Sequence, residues 1–373
     1  MRNRRGHGEG SIYRRKDGQW CASMFVGWDE QGKYQRRVVY GRTKREVREK
    51  LARLQAQVLD GLQVKPTRMR VSEYLDHWLE HAARPRLRRS THDSYKSTIK
   101  LHLKPNIGGV RLVQLQPSQV QALYSRLEKD GASPRTRLKA HVVLRCALQQ
   151  AVKWGYLVRN PCDVVDRPRV AQKPMRYLDP DQAKRFLEKA REERLYPLYV
   201  LGVTTGMRLG ELFGLQWKDV DWESGALTVQ RSLQELSGGA VEINAPKTAK
   251  GRRRVSLTTK ALGALREHRK QMLADGHRSK WVFYDSRGGA LRRSNFTRRS
   301  FKPLLQKAKL PDIRFHDLRH TAATLLLSQG VHPKVVQEML GHATIVITLD
   351  TYSHVLPSMQ QEAVAKLDEL LGR

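Results

Sequence analysis

The sequence predicts a mainly α-helical protein with small β-sheets, divided into three domains. Near the N-terminus, runs of aromatic and β-branched residues alternate with turn signals, which is typical of a small sheet. Residues 68–165 carry apolar side chains at helical spacing. Residues 175–373 combine helix-capping signals with three short strand-like runs, so a second small sheet is expected there among helices.

The chain is strongly basic. Its 373 residues include 70 Lys and Arg against 36 Asp and Glu, which gives a formal net charge of +34. This excess favours a polyanionic partner, and DNA, RNA and an anionic membrane all qualify; a ribosomal or chromatin-type binder is the least specific interpretation. No apolar run approaches the roughly 20 residues that span a bilayer, and no signal peptide is expected. Three dispersed cysteines without metal-ligand spacing fit a reduced cytoplasm.

Residues 1–64 predict a three-stranded sheet with one helix packed on it. Strands are expected at 11–15, 20–28 and 34–40. Thr43 is expected to cap the helix, with Glu46 completing a capping box, and the helix should reach about Leu59. One face of so small a sheet stays free, and it could enter a DNA groove. The candidate DNA contacts on or near that face, which solvated strand positions would also explain, are Arg14, Lys16, Arg36, Arg37 and Arg42.

Residues 68–165 predict a compact bundle of four or five helices with a basic surface. Its later helices are expected to begin at the caps Ser90, Ser118 and Ser133. Pro134 takes the favoured first position of the helix after Ser133. Apolar stripes in this region are interpreted as core rather than as a ligand site.

Residues 166–174 predict an extended linker that is rich in proline and basic residues. Arg167 and Arg169 are candidate contacts to a phosphate backbone, although a merely solvated linker fits nearly as well. After the linker, Asp179 and Gln182 predict a second capping box, and residues 196–205 predict an apolar helix.

Three short strands are expected in the third domain, joined by glycine-containing turns. Their ranges are 227–233, 241–245 and 253–257.

The last third of the chain carries a series of basic and imidazole side chains that leads to one tyrosine. Arg208 lies in Thr-Gly-Met-Arg-Leu-Gly-Glu-Leu, and His316 and Arg319 lie in Phe-His-Asp-Leu-Arg-His. His342 lies in Leu-Gly-His-Ala-Thr, and Tyr352 follows in Leu-Asp-Thr-Tyr-Ser-His. This order resembles the tyrosine recombinase family, in particular the phage and transposon integrases. The resemblance implies a mixed α/β catalytic domain over the last part of the chain.

The resemblance implies that Tyr352 attacks a DNA phosphate and forms a 3′-phosphotyrosyl link without metal or cofactor. A phenol has a pKa near 10, so neighbouring cations must help it to ionise. Arg208 and Arg319 would hold the phosphate, since a guanidinium group grips two oxygens at once. A salt bridge is the alternative role for each arginine, and Glu211 three residues after Arg208 would orient that side chain.

His316 and Arg319 share one helix face at i and i+3. His320 lies four residues after His316, as in some zinc helices, but the glutamate of that motif is missing and an arginine beside a dication is unfavourable. The resemblance implies that His316 assists proton transfer or donates to the phosphate, that His342 donates to the phosphate, and that His320 is structural.

The resemblance also implies a general-acid lysine on a β-hairpin between Arg208 and His316. Lys247 in Pro-Lys-Thr fits that position, and Lys250 is the alternative. Lys250 and Arg252 are also candidate DNA contacts.

Across the whole chain, the resemblance implies an arm-type DNA-binding domain (1–64), a helical SAM-like core-binding domain (68–165), a linker (166–174) and a catalytic domain (175–373). The implied partner is double-stranded DNA at core and arm attachment sites, recombined by a homotetramer through a Holliday junction. A directionality factor and a host DNA-bending protein are candidate further partners, and a membrane is not. The implied reaction integrates or excises a phage genome, transposon or genomic island in the cytoplasm.

Two other classes share parts of this pattern. A type IB topoisomerase-like enzyme would use the same tyrosine chemistry, but it needs no separate N-terminal DNA-binding sheet. A pure DNA binder or repressor would not need the complete set of catalytic positions. After Tyr352, an apolar stripe at helical spacing is expected to dock on a neighbouring protomer or on its own domain; it comprises Ala363, Val364, Leu367 and Leu371.

Overall fold

A computed structural model of the chain describes residues 11–28, 34–59, 67–171, 174–236, 238–245, 251–352, 364–365 and 367–372. The fold is mainly helical with small antiparallel sheets, as predicted. The chain divides into two compact units, Met1–Gln172 and Lys173–Arg373. None of the helices in the described ranges has both the length and the apolar character needed to cross a bilayer.

The first unit begins with a three-stranded antiparallel sheet and a helix, and this prediction is confirmed. The elements are β1 Ser11–Arg14, β2 Trp20–Trp28, β3 Tyr34–Gly41 and α1 Lys44–Leu59. The Thr43 hydroxyl accepts from the Glu46 amide at 3.2 Å, which caps α1 as expected. Alternate strand residues, including Ala22 and Met24, pack against Val47 and Leu51 of the helix. Helix α1 reaches Leu59, as predicted.

The strand register determines which side chains lie on the sheet face away from α1. Tyr13, Cys21 and Tyr40 pair across the strands, and they alternate with the residues that face the helix. Arg36 shares this free face, whereas Arg14 and Arg37 alternate onto the helix side. The free face therefore carries exposed aromatic side chains with fewer of the candidate arginines than the sequence suggested.

The helical bundle of the first unit follows. Its α-helices are α2 Val71–Trp78, α3 Arg89–Thr98, α4 Lys104–Ile107, α5 Pro117–Lys129 and α6 Pro134–Lys153. Wider π-type turns extend α2 over Leu79–Ala83 and connect α3 to α4 over Ile99–Leu103. Buried residues from α2, α4, α5, α6 and the two π-type turns form one core, and Tyr95 of α3 packs against it. This core is separate from the core under the sheet.

Two predicted caps in this bundle are wrong, and one is confirmed. Ser90 and Ser118 lie within the first turns of α3 and α5, whose N-caps are Arg88 and Gln116. Proline at position 117 fixes the backbone for a helix start two residues earlier than predicted, and Gln116 and Gln119 form the capping box there. Ser133 caps α6 as predicted, since its hydroxyl accepts from the Thr136 amide at 3.2 Å.

The bundle ends in a short 3₁₀ turn, Pro161–Val164, and the chain then runs without regular structure to residue 171. Arg167 and Arg169 are exposed on this segment. Exposure fits both a solvated linker and a linker that contacts phosphates, so it does not decide between the two.

The second unit opens with α7 Pro180–Ala190, α8 Tyr196–Thr205 and the short α9 Leu209–Phe213. The Asp179 carboxylate accepts from the Gln182 amide at 2.7 Å, which confirms the predicted capping box. Helix α8 is buried on nearly all sides, so it forms the centre of the unit and fixes the start of the segment that carries Arg208.

The strands of this unit differ from the prediction. One three-stranded sheet pairs β4 Val220–Asp221, β5 Ala226–Val229 and β8 Arg253–Ser256, and a separate hairpin pairs β6 Ser232–Glu235 with β7 Val241–Asn244. The run predicted as one strand over 227–233 is thus split. The split falls at Arg231, whose guanidinium turns inward to the buried Asp219 carboxylate and to the Gly214 carbonyl.

The remaining helices are α10 Thr259–Ala274, α11 Arg293–Phe296, α12 Lys302–Lys307, α13 Phe315–Ser328, α14 Pro333–Leu340 and α15 Ile345–Tyr352. The first part of α13 packs on α8. Its far end joins α14 and Tyr352 in a second cluster. These contacts bring the ends of α8, α13, α14 and α15 together.

Candidate active site

Arg208 stands at the N-cap of α9, directly after the end of α8. Its guanidinium donates to the Glu211 carboxylate at 2.8 Å, and its backbone N–H donates to the same carboxylate at 3.1 Å. The Arg208 side chain is still 41% exposed, whereas that of Glu211 is 4% exposed. Arg208 Nη2 also donates to the Gly341 carbonyl at 3.5 Å. The buried carboxylate therefore orients an arginine side chain that is still partly exposed.

Arg253 on β8 is the second partner of Glu211. Its Nη2 lies 2.8 Å from Glu211 Oε2, and its Nε donates to the Met339 carbonyl of α14 at 2.7 Å. Burial by itself would raise the pKa of Glu211, but hydrogen bonds and charge from Arg253 and Arg208 outweigh burial and lower it. The carboxylate is thus ionised and joins α9 to β8, and Arg253 extends this link to α14.

Arg319 lies in the first half of α13 and is 2% exposed. Its Nη1 donates to the Gly206 carbonyl at 2.9 Å, but its buried Nη2 has no hydrogen-bond partner among the described residues. Burial, followed by the charge of Arg208, lowers the pKa of Arg319 to about 9, so the group is still charged at neutral pH. A buried cation with an unused donor is costly unless an anion completes its hydrogen bonds.

Gly206 makes this contact possible because it ends α8 in the left-handed conformation, with φ of 61°. A Cβ at this position would lie 2.4 Å from Cδ2 of Leu340. The position therefore requires glycine for its backbone angle and for the close approach of α14.

His316 is exposed on the first turn of α13. Desolvation by its surroundings, followed by the effects of His320, Arg319 and Arg208, lowers the pKa of His316 to about 4. The ring is therefore neutral near pH 7, and it has one N–H to donate and one nitrogen to accept.

His342 follows Gly341, which ends α14 with φ of 67°. His342 Nδ1 lies 2.8 Å from the hydroxyl of Thr348, which is completely buried on α15. Burial and the charge of Arg319 lower the pKa of His342 to about 3, so this ring is neutral too. When the hydroxyl donates to Nδ1, the proton of the ring lies on Nε2 and is available to an anion.

Tyr352 ends α15 and is 1% exposed, packed against Ala323, Leu327 and Leu340. Its hydroxyl lies 2.9 Å from Nδ1 of His320. Burial raises the pKa of Tyr352 to about 12, while the nearby charge of Arg319 acts in the opposite direction.

The structure brings five of the six predicted catalytic side chains into one cluster: Arg208, His316, Arg319, His342 and Tyr352. Lys247 and Lys250 lie outside the described residues, so the choice between them stays a prediction. Arg252 is exposed beside that segment. Among the described residues, no group of three or more His, Cys, Asp or Glu side chains could hold a metal ion, and the pair His316 and His320 gains no third ligand.

Two residues of this cluster are not indicated by the sequence: Arg253 and Thr348. His320 is assigned a structural role from the sequence, and its contact with the hydroxyl of Tyr352 is not predicted. The spacing of four residues from His316 to His320 places both rings on one helix face, but it does not indicate a contact with Tyr352. Nothing in the run Arg252-Arg253-Arg254 indicates that only the middle side chain turns inward, because that depends on the pairing of β8 with β5.

Two family models match the chain. The phage integrase family covers residues 176–359, and the N-terminal SAM-like domain of phage integrases covers residues 71–127.

The chain also resembles a curated relative and two solved structures. It is 29% identical to a tyrosine recombinase XerC-like protein of Caldanaerobacter subterraneus, over 93% of this chain and 95% of the relative. The Tn1549 transposon integrase in complex with transposon right end DNA matches with a TM-score of 0.70 at 23% identity, over 82% of this chain and all of that one. A lambda integrase tetramer bound to a Holliday junction matches at 0.59 and 19% identity, over 94% and 96%. Both structural likenesses establish the fold.

These matches define the class of protein as an enzyme that cleaves and rejoins DNA. Within that class, the chain belongs to the phage integrase family, the tyrosine recombinases.

Proposed function

We propose that this chain recombines a mobile element at specific DNA sites, with Tyr352 as its nucleophile. The observation that supports this most directly is the buried Nη2 of Arg319, a donor without a partner among the described side chains, beside Tyr352 and two neutral imidazoles. A scissile phosphate placed there would complete the hydrogen bonds of Arg319. It would also bring the phosphorus next to the hydroxyl of Tyr352 and the two imidazoles.

The cluster supplies two kinds of donor to the phosphate. Arg208 and Arg319 hold the two non-bridging oxygens, and their charge stabilises the negative charge that builds in the transition state. His316 and His342 are neutral, so each donates one N–H without adding a buried charge. Thr348 fixes which nitrogen of His342 donates.

The chemistry is a transesterification. The Tyr352 oxygen attacks phosphorus, the 5′ oxygen leaves with a proton from Lys247, and a 3′-phosphotyrosyl link remains. The link conserves the energy of the phosphodiester, so religation needs no ATP.

Strand exchange between two duplexes requires four protomers that act pairwise through a Holliday junction. A tetramer is recorded for lambda integrase at such a junction, and the shared fold supports the same arrangement here. The apolar side chains Val364, Leu367, Leu370 and Leu371 are more than half exposed, which supports docking of the tail on a neighbouring protomer. Truncation after residue 358 should then reduce tetramers on DNA; unchanged assembly would favour docking in cis.

The domain assignment follows from the same proposal. Residues 1–64 bind arm sites, 68–165 and 175–373 bind the core site, and 166–174 link them. A directionality factor and a host DNA-bending protein would control which product forms, and the reaction would take place in the cytoplasm.

Covalent trapping tests the central claim. Wild type and Tyr352→Phe are incubated with nicked duplex that carries the element's own junction sequence, in excess chelator, and then denatured. We expect a protein–DNA adduct from wild type alone. An adduct from both proteins would assign the nucleophile to another residue, and binding without an adduct from either would favour a DNA-binding protein without cleavage activity.

A further inference from the structure

The hydroxyl of Tyr352 contacts a residue to which the family resemblance assigned no chemical role. His320 lies one helical turn after His316 on α13, and its Nδ1 is 2.9 Å from the phenol oxygen. Around this contact, Ala323, Leu327, Val336 and Leu340 form an apolar cluster. Among the described residues, the hydrogen-bond partner of the Tyr352 hydroxyl is His320.

A phenol in such surroundings does not lose its proton to bulk water. Burial raises the pKa of Tyr352 to about 12, so the phenolate is scarce near pH 7. Attack on phosphorus nevertheless requires that the proton leave as the bond forms. A proton acceptor within hydrogen-bond distance removes this difficulty, and general bases of this kind typically contribute about 10²–10⁴-fold.

His320 has the properties of such an acceptor. Burial, partly offset by Asp317, lowers its pKa, so the ring is neutral and Nδ1 can carry a free lone pair. The charged and titratable groups that face it are His316, Asp317, Arg314, Arg319, His342 and Tyr352.

The other two histidines are placed for different tasks. Nδ1 of His342 contacts the hydroxyl of Thr348, so Nε2 is the nitrogen of that ring that is left for the phosphate. His316 stands edge-on to His320 with ring centroids 5.2 Å apart, at the exposed start of α13.

We propose that His320 is a further catalytic residue: its Nδ1 orients the Tyr352 oxygen and takes the phenol proton during attack. This inference rests on the proposed role of Tyr352 as nucleophile. The O–H bond of the phenol breaks as N–H forms on His320, and the new O–P bond forms as the P–O5′ bond breaks. The 5′ oxygen takes its proton from Lys247. Religation reverses each transfer, so no proton is gained or lost over the cycle.

Single-turnover cleavage by the full chain tests this proposal, with wild type, His320→Asn and His320→Ala. The asparagine oxygen can replace Nδ1 as a hydrogen-bond acceptor, but it does not take a proton. His332→Asn is the matched control, since His332 is an exposed N-cap of α14, a position that asparagine fills well. Each protein is assayed on nicked duplex with an ordinary 5′ oxygen and with a bridging 5′ sulfur at the scissile position.

A thiolate leaves without protonation, so the sulfur substrate bypasses the general acid but not the base. We expect His320→Asn to cleave both substrates at least tenfold more slowly than wild type, with a rate that rises with pH as hydroxide replaces the base. DNA affinity and the unfolding temperature of His320→Asn should match those of His332→Asn.

Three outcomes would overturn the proposal. His320→Asn could cleave at the wild-type rate; His320→Ala could form more adduct than wild type, which would make the contact inhibitory; or the sulfur substrate could restore His320→Asn, which would place His320 at the leaving group. An adduct from Tyr352→Phe would instead contradict the proposed function itself.

Discussion

The helical bundle of residues 67–164 and the second unit differ in how deeply they bury ion pairs. Each described ion pair of the bundle has at least one partly exposed partner, as in Arg145–Asp163, where the side chains are 51% and 43% exposed. In the second unit, the pair Arg253–Glu211 is 6% and 4% exposed, and Arg319 is buried as well. Exposed pairs contribute little to stability, whereas buried charges are costly to desolvate and depend on their partners.

This contrast indicates what each set of charges does. The surface charges of the bundle are free to attract a polyanion through its phosphates, with steep dependence on salt. The buried charges form a fixed cluster, and under the proposed function a scissile phosphate would complete its hydrogen bonds.

The largest effect should come from the arginine with the unused donor. Arg319→Ala should lower the single-turnover cleavage rate by about 10²–10³-fold or more, because a fixed donor to the transition state is lost. Arg84→Ala in the bundle, which breaks an exposed pair with Glu80, is the control and should change the rate little. Equal effects of the two changes on quenched-flow rates would remove the distinction between the two regions.

Arg253 should matter for stability more than any surface arginine. Arg253→Ala leaves Glu211 buried with Arg208 as its remaining partner, and it should lower the free energy of unfolding by about 3 kcal/mol. Arg145→Ala should lower it by about 0–1 kcal/mol. Urea denaturation of the two variants measures both values, and a loss for Arg253→Ala as small as that for Arg145→Ala would contradict the assignment of Glu211 as an ionised bridge.

Acidification should weaken the second unit through its histidines before its carboxylates are protonated. Folding lowers the pKa of His342 to about 3 and that of His316 to about 4. An unfolded histidine has a pKa near 6.5. Between this pH and the lower pKa of each folded ring, the unfolded state binds more protons than the folded state. The free energy of unfolding therefore falls as the pH falls from about 6.5. Thermal unfolding across this range should show the loss, and His342→Gln should reduce its slope; a slope that does not change would mean that His342 is not buried as a neutral ring.

The smallest effect concerns the orientation of one imidazole. Thr348→Val keeps the shape of the buried side chain but removes the hydroxyl that contacts His342 Nδ1. Cleavage should slow by roughly fivefold to tenfold, as expected for one net hydrogen bond. Thr344→Val, at an exposed position of the same segment, is the control. If both valines had the same effect, Thr348 would have no part in placing the ring proton.

Sequence patterns predicted elements whose signals are local. Thr43, Ser133 and Asp179 cap their helices as expected, because a cap depends on residues within one turn. The split at Arg231 was not predicted, because it follows from an ion pair with a residue twelve positions away. The pairing of the last strands likewise depends on contacts over more than twenty residues.

The same distinction applies to the candidate site. The order of Arg208, His316, Arg319, His342 and Tyr352 along the chain was enough to nominate them. The partners that hold them were not visible, since Arg253 and Thr348 are recognised only by the direction in which their side chains point. Lys247 stays a prediction.

The cover over Tyr352 has a consequence for the cell that carries this protein. A genome presents a very large number of phosphodiester bonds, and a basic protein meets many of them by chance. Because the proposed nucleophile is 1% exposed, a phosphate that touches the surface at random does not reach the hydroxyl of Tyr352. Under the proposed mechanism, this burial would limit off-target nicking at the level of single encounters.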